Sequence, residues 1–119
     1  MTLLLVDDCN SIFKIVEYVT KDIFECTYAD GTDSAVKILE GGLRPDVIVS
    51  DLNMPGKNGE AFLAWLKADE RFAGIPFMVL SAENRSETRV RLLKAGADDF
   101  MTKPFNPAEL LVKLQKMAR

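Results

Sequence analysis

The 119-residue sequence contains no histidine. Without an imidazole, the chain can form neither a Ser-His-Asp nor a Cys-His catalytic site, and it has no histidine general base. It has two cysteines, Cys9 and Cys26, but no CxxC pair, so the ligands of a structural zinc site are missing. This cysteine usage is typical of a reduced, cytoplasmic setting. Any catalysis must therefore depend on carboxylates, lysine, hydroxyls or a bound metal.

The sequence also lacks a long hydrophobic run and a large excess of charge of either sign. Its apolar runs are too short to span a bilayer, and its N-terminus has no basic region of a signal peptide, so we expect no membrane insertion. The net charge of −3 gives no electrostatic reason to expect direct nucleic-acid binding. With 48% hydrophobic and 28% charged residues, the composition is that of a soluble globular domain. We expect residues 1–119 to form a single domain with no attached output domain.

Short apolar runs alternate along the chain with longer amphipathic segments. The runs at residues 3–6 and 47–49 are continuously apolar, which is typical of strands that are covered on both faces. Further strands are predicted at 24–29, 77–80 and 100–102, and each of the five strands is followed by a segment with helical spacing. This (βα)₅ pattern predicts an α/β fold, a doubly wound parallel sheet with right-handed crossovers.

Several residues mark the ends of the predicted helices. The third helix is predicted at residues 61–68, after a turn-rich segment at 53–59. Glycines are expected to end the second and fourth helices, at Gly41-Gly42 and Gly96. The candidate N-caps are Asn10, Asn84 (with Glu87 completing a capping box) and Asn106, which precedes Pro107 at the first position of the last helix.

Polar side chains follow four of the five predicted strands. In an open parallel sheet ligands bind beyond the carboxyl ends of the strands, so these side chains are the candidates for function. Three carboxylates, one hydroxyl and one ammonium group are predicted to converge there. They are Asp7 and Asp8 after the first strand, Asp51 after the third with Asn53 two residues on, Ser81 after the fourth with Glu83 two residues on, and Lys103 after the fifth, directly before Pro104.

This set of residues suits metal-assisted phosphoryl transfer. Clustered carboxylates repel one another unless a cation lies between them, and Mg²⁺ is a hard ion that takes such oxygen ligands. An aspartyl carboxylate such as Asp51 can accept a phosphoryl group covalently. The metal and Lys103 would neutralise charge on the phosphoryl oxygens, and the Ser81 hydroxyl would hydrogen-bond one of them.

The segments LLLVDD, VIVSDLNMPGKNG, VLSAE and AGADDFMTKPF resemble, in this order and over essentially the whole chain, the receiver domains of two-component response regulators, including single-domain chemotaxis regulators. The resemblance implies the flavodoxin-like strand order 2-1-3-4-5. It implies that Asp51 is the phosphoacceptor and that Lys103 binds the phosphate. It also implies a Mg²⁺ site formed by Asp8, Asp51 and the backbone carbonyl of Asn53, with Asp7 completing the acidic pocket.

The same resemblance implies a switch and its partners. Ser81 is the switch hydroxyl and Phe100 the switch aromatic, at a position where many relatives have tyrosine; Asn53 and Glu83 tune the lifetime of the phosphoryl group. The Lys103-Pro104 peptide is expected to be cis. The donor is a phosphohistidine on a histidine kinase or a histidine phosphotransfer protein, and an output protein binds the face formed by the fourth helix, fifth strand and fifth helix. The chain then catalyses only its own phosphorylation and autodephosphorylation.

Other interpretations of these residues stay open at this point. Asp7 and Asp8 can act simply as helix-capping carboxylates, and Phe100 as an ordinary core residue. Both cysteines are interpreted as small buried apolar residues. A metal-dependent phosphatase needs a second Asp where the chain has Asn53, and a nucleotide-binding module needs a glycine-rich phosphate loop that the sequence lacks. The alternative that keeps the fold is a phosphate-independent interaction module. The basic residues around the fourth helix are interpreted as a solvated face or a partner surface: Arg85, Arg89, Arg91 and Lys94.

Overall fold

The computed structural model describes residues 1–53, 58–83 and 85–118. In this part of the chain five parallel strands form one sheet, in the order β2-β1-β3-β4-β5. The predicted strand order is therefore confirmed. The strands are β1 (Thr2–Val6), β2 (Glu25–Ala29), β3 (Val47–Ser50), β4 (Phe77–Ser81) and β5 (Asp99–Thr102).

A helix follows each strand along the chain. Over the described ranges, no helix is both long enough and apolar enough to traverse a bilayer. The helices are α1 (Asn10–Thr20), α2 (Thr32–Glu40), α3 (Gly59–Lys67), α4 (Ser86–Lys94) and α5 (Pro107–Met117).

The helix ends agree with the sequence prediction at some positions and differ at others. The Asn106 side chain accepts a hydrogen bond from the Glu109 N–H at 3.1 Å, which confirms the cap of α5. At α1 the prediction was wrong, because Cys9 rather than Asn10 is the N-cap and its side chain makes no capping bond. At α4 the N-cap is Arg85, and Asn84 lies outside the described residues.

Glycines end two of the helices as predicted. Gly42 follows α2 with φ +116° and Gly96 follows α4 with φ +115°. Both angles lie in the left-handed region, which glycine adopts without the steric cost of a Cβ atom.

Each face of the sheet carries its own hydrophobic layer. Side chains alternate between the faces along a strand, so Leu4 and Ile48 lie in one layer and Leu3 and Val49 in the other. Residues of α2, α3 and α4 join the first layer, and residues of α1 and α5 join the second. The doubly wound arrangement is therefore confirmed.

A cluster of aromatic side chains packs α3 against the first hydrophobic layer. Trp65 stacks on Phe72 with ring centroids 5.2 Å apart, and Phe62 lies 6.4 Å from the indole. Two guanidinium groups, those of Arg44 and Arg71, cover the Phe72 ring at 4.8 and 4.7 Å. This packing joins α3 to the first hydrophobic layer.

The two cysteines lie in different environments. Cys9 is exposed, so its interpretation as a buried residue was wrong, whereas Cys26 is half-buried in β2. Burial, with a smaller contribution from the charge of Glu17, raises the pKa of the Cys26 thiol to about 12. At pH 8 only about one Cys26 in ten thousand is then a thiolate, the form that reacts with alkylating reagents.

We therefore expect iodoacetamide to modify Cys9 quickly and Cys26 at least about a hundredfold more slowly in the native protein. Intact mass against time at pH 8 measures both rates. A Cys9→Ser variant should lose the fast phase, and a Cys26→Ser variant should keep it. Equal modification rates at both cysteines before unfolding would contradict this prediction.

Candidate functional site

The ends of β1 and β3 place two carboxylates side by side. Val6 and Ser50 are register partners at the ends of these strands, so Asp7 and Asp51 leave the sheet next to each other. The Asp51 N–H donates to the Val6 carbonyl at 2.9 Å, which extends the strand ladder by one residue. Both side chains are buried although they are acidic, which is costly unless each charge has partners.

Asp8 completes a cluster of three carboxylates. One oxygen each from Asp7, Asp8 and Asp51 lie within 4.8 Å of one another. Oxygens on opposite sides of a bound Mg²⁺ are about 4 Å apart, so these donors fit that ion in both chemistry and spacing. Asp8 is exposed, which leaves room for the waters that Mg²⁺ usually keeps.

Lys103 brings a positive charge to the same cluster. Its N–H donates to the Ser81 carbonyl at 2.9 Å, which fixes the residue at the end of β5. Its Nζ lies 2.7 Å from Asp7 Oδ2 and 3.3 Å from Asp51 Oδ2. Burial alone lowers the pKa of Lys103, but the hydrogen bond to Asp7 and the charges of Asp51 and Asp7 together raise it above its ordinary value. The lysine is therefore held as a cation beside Asp51, and the peptide bond that follows it, to Pro104, is cis as expected.

The two carboxylate oxygens of Asp51 have different surroundings. Oδ1 accepts hydrogen bonds from the backbone N–H groups of Leu52, at 2.7 Å, and Asn53, at 3.4 Å. Oδ2 faces the Lys103 ammonium. The carboxylate is therefore held from both sides. The Asn53 side chain is exposed, and residues 54–57 of the predicted turn-rich segment lie outside the described residues.

Ser81 and Glu83 make contacts toward α4. The Ser81 Oγ accepts a hydrogen bond from the Glu83 N–H at 3.2 Å. The Glu83 carboxylate accepts from the Thr88 hydroxyl at 2.7 Å and from Arg85 at 2.6 Å. The Thr88 hydrogen bond, followed by that from Arg85, lowers the pKa of Glu83. Glu83 is thus a charged residue tied to the first turn of α4.

Phe100 is a core residue in this structure. The residue is 4% exposed, and its side chain belongs to the layer that contains α3 and α4. The Arg89 guanidinium lies 5.4 Å from the ring centroid and covers its outer side. A second basic residue of α4, Arg91, makes a two-point ion pair with Glu60 of α3 at 3.0 and 3.1 Å. Both arginines are exposed, as expected for a solvated face, and each has a specific partner at the surface.

Two further residues at the site, Ser50 and Gly59, were not identified from the sequence. The Ser50 hydroxyl donates to the Asp51 carbonyl oxygen at 2.9 Å. A methyl group added at Gly59 would lie 2.0 Å from the same oxygen. The Asn58-Gly59 pair signalled a turn in the sequence, but no signal indicated its approach to Asp51.

Comparison with known protein families gives a match over most of the chain. The model of the family described as response regulator receiver domain matches residues 3–115. Among curated proteins, the phosphate regulon transcriptional regulatory protein PhoB of Pseudomonas aeruginosa is 34% identical over 119 residues, which are 99% of this chain and 52% of the relative. The chain thus spans about half the length of such curated relatives.

Two other similarities are informative. Hybrid signal transduction histidine kinase D of Dictyostelium discoideum is 34% identical over 100 residues, which are 84% of this chain and 6% of that protein. Among solved structures, the chemotaxis response regulator CheY4 of Vibrio cholerae superposes with a TM-score of 0.89 and 32% identity, and the match covers 98% of this chain and 97% of that chain. The similarity therefore extends to both sequence and fold.

Proposed function

This chain belongs to the response regulator receiver domain family, and from that membership we propose that it is a phosphoacceptor switch of two-component signalling. In this proposal Asp51 accepts a phosphoryl group from a phosphohistidine on a histidine kinase or a histidine phosphotransfer protein. An oxygen of Asp51 forms a bond to phosphorus as the N–P bond of the donor breaks, and the imidazole leaves with the electron pair.

The observation that carries the proposal is the position of Lys103 and the acidic cluster around Asp51. The Lys103 Nζ lies 3.3 Å from the Asp51 carboxylate, where it can neutralise negative charge on an incoming phosphoryl group. Asp8, Asp51 and the Asn53 carbonyl would hold Mg²⁺, and Asp7 would complete the pocket. When bound, the ion supplies further charge neutralisation at the phosphoryl oxygens.

The switch that we propose begins at Ser81. The Ser81 Oγ accepts from the Glu83 N–H at 3.2 Å and can donate its own hydrogen to a phosphoryl oxygen at the same time, so a movement of Ser81 toward the phosphoryl group would draw Glu83 with it. The Glu83 carboxylate accepts a hydrogen bond from Thr88, so a displacement of this loop would also displace the first turn of α4. Phe100, which is buried in this structure, would then change its packing within the hydrophobic layer to which it belongs. In this scheme Asn53 and Glu83, beside the acceptor and the switch hydroxyl, tune the lifetime of the phosphoryl group.

The output surface that we propose is the face formed by α4, β5 and α5. On α4, Val90 and Leu93 are 49% and 46% exposed and lie one helical turn apart, as an apolar ridge. Beside β5 and α5 a cleft of about 260 Å³ is lined by residues that include Arg89, Phe105 and Lys113. A partner that buries the ridge would sense the position of α4 directly.

The experiment that tests the function is intact mass measured after incubation with a small acyl phosphate and Mg²⁺. We expect one added phosphoryl group, at least about a hundredfold slower addition when EDTA removes the metal, and loss of the group in alkaline hydroxylamine, which cleaves acyl phosphates. A phosphoryl group resistant to hydroxylamine would indicate a hydroxyl acceptor. No addition to folded, Mg²⁺-binding protein would contradict the proposal and favour a phosphate-independent interaction module.

A further inference from the structure

Ser50 is a polar residue in an otherwise apolar, buried strand. The other residues of β3 are Val47, Ile48 and Val49, and all four side chains are fully buried. Burying a hydroxyl is costly unless the group makes a hydrogen bond. The Ser50 Oγ makes that bond to the carbonyl oxygen of the next residue, Asp51, at 2.9 Å.

This carbonyl belongs to the peptide group that joins Asp51 to Leu52. The N–H at the other end of the same group donates to Asp51 Oδ1 at 2.7 Å. Because a peptide group is a rigid plane, a hydrogen bond that fixes the direction of its carbonyl also fixes the direction of its N–H. Gly59 lies so close to the same carbonyl oxygen that a Cβ atom there would clash with it.

The Asp51 carboxylate is therefore held at two points. Oδ1 is held at 2.7 Å by the Leu52 N–H, whose direction depends on Ser50, and the Asn53 N–H adds only a longer contact of 3.4 Å. Oδ2 faces the Lys103 Nζ at 3.3 Å. The terminal torsion of an aspartate side chain is broad, so without the first hold the carboxylate can rotate away from Lys103. We infer that Ser50 is a positioning residue, which orients the Asp51 carboxylate for phosphoryl transfer by fixing the Asp51-Leu52 peptide. For its chemical consequence this inference rests on the proposed function.

Two substitutions of matched shape isolate the hydroxyl. Ser50→Thr keeps it, and Ser50→Val has the same branched shape without it, so both variants share any cost of the added methyl group. We expect phosphoryl incorporation at saturating acyl phosphate to be about five- to tenfold slower in Ser50→Val than in Ser50→Thr. The donor concentration at half-saturation should agree within about twofold, because Ser50 does not touch the donor. The Mg²⁺ concentration at half-saturation should be higher in Ser50→Val, because Asp51 is one of the proposed ligands of the ion, so the rates are compared at saturating Mg²⁺. Ser50→Ala, which adds no volume, should show the same slow rate as Ser50→Val.

A second readout needs no donor. Hydrogen exchange of the Leu52 amide, followed by NMR, should be about tenfold faster in Ser50→Val than in Ser50→Thr, while the amide of Val49 in the same strand is unchanged. If the parent protein takes up no phosphoryl group, the proposed function fails, and the Leu52 amide still decides whether Ser50 orients Asp51. Equal Leu52 exchange in the two variants, or equal rates of phosphoryl incorporation, would overturn the inference.

Discussion

An Asp51→Asn variant is expected to take up no phosphoryl group under conditions in which the parent protein takes up one. A carboxamide oxygen is a much weaker nucleophile than a carboxylate oxygen. The change preserves size, so the Leu52 N–H, now 2.7 Å from Oδ1, keeps an acceptor while the ion pair with Lys103 is lost. Because one of three clustered carboxylates is removed, the free energy of unfolding without Mg²⁺ should be unchanged or higher.

An Asp30→Asn variant is the matched control. Asp30 is an exposed acidic residue that directly follows β2, so its substitution makes the same change of net charge near the same edge of the sheet. Intact mass should show full phosphoryl incorporation in this control and none in Asp51→Asn. Incorporation at the parental rate in Asp51→Asn would show that another residue is the acceptor.

A Gly59→Ala substitution is expected to lower the free energy of unfolding by about 3 kcal/mol or more, a large effect for the addition of one methyl group. The new methyl group would lie 2.0 Å from the Asp51 carbonyl oxygen and 3.0 Å from the Leu52 Cα, both of them backbone atoms. These two backbone atoms cannot move freely. The Gly59 N–H donates to the Leu52 carbonyl at 3.0 Å, and the Asp51 carbonyl accepts a hydrogen bond from the Ser50 hydroxyl. Molecules that do fold should also be phosphorylated more slowly, since relief of the clash displaces Asp51.

Gly74→Ala provides the control for this substitution. A methyl group at Gly74 meets no atom within 4 Å, and Gly74 does not have a positive φ. We expect the free energy of unfolding to change by less than about 1 kcal/mol, with a gain from the restricted unfolded chain. Urea unfolding followed by circular dichroism measures both variants. A Gly59→Ala protein as stable as Gly74→Ala and phosphorylated at the parental rate would contradict the prediction.

The fold was largely predictable because its signals are local. Strands buried on both faces are continuously apolar, which identified β1 and β3, and Pro107 after Asn106 located the start of α5. The start of α1 was misplaced by one residue. The Cys9 N–H donates to the carboxylate of Asp7, two residues earlier, at 2.9 Å, a local contact that the pattern of a side-chain N-cap does not include.

The site was predictable only in its charged residues. Asp7, Asp51 and Lys103 directly follow strands. The carboxyl ends of parallel strands lie at the same edge of the sheet, and this does not depend on the conformation of the loops. The partners of these residues could not be predicted, because they depend on the orientation of single groups in space. Thr88 holds the Glu83 carboxylate only when α4 has its observed position.

The position of Trp65 allows the fluorescence of the protein itself to report on its functional site. This residue is the single tryptophan of the chain, and its indole stacks on Phe72. It lies on α3, the helix that begins at Gly59, where no side chain fits beside the Asp51 carbonyl. We therefore expect a displacement of the backbone at Asp51 to shift the start of α3 and so to change the contact of the indole with its aromatic neighbours. Tryptophan emission should thus follow the state of Asp51 in real time, without any attached label.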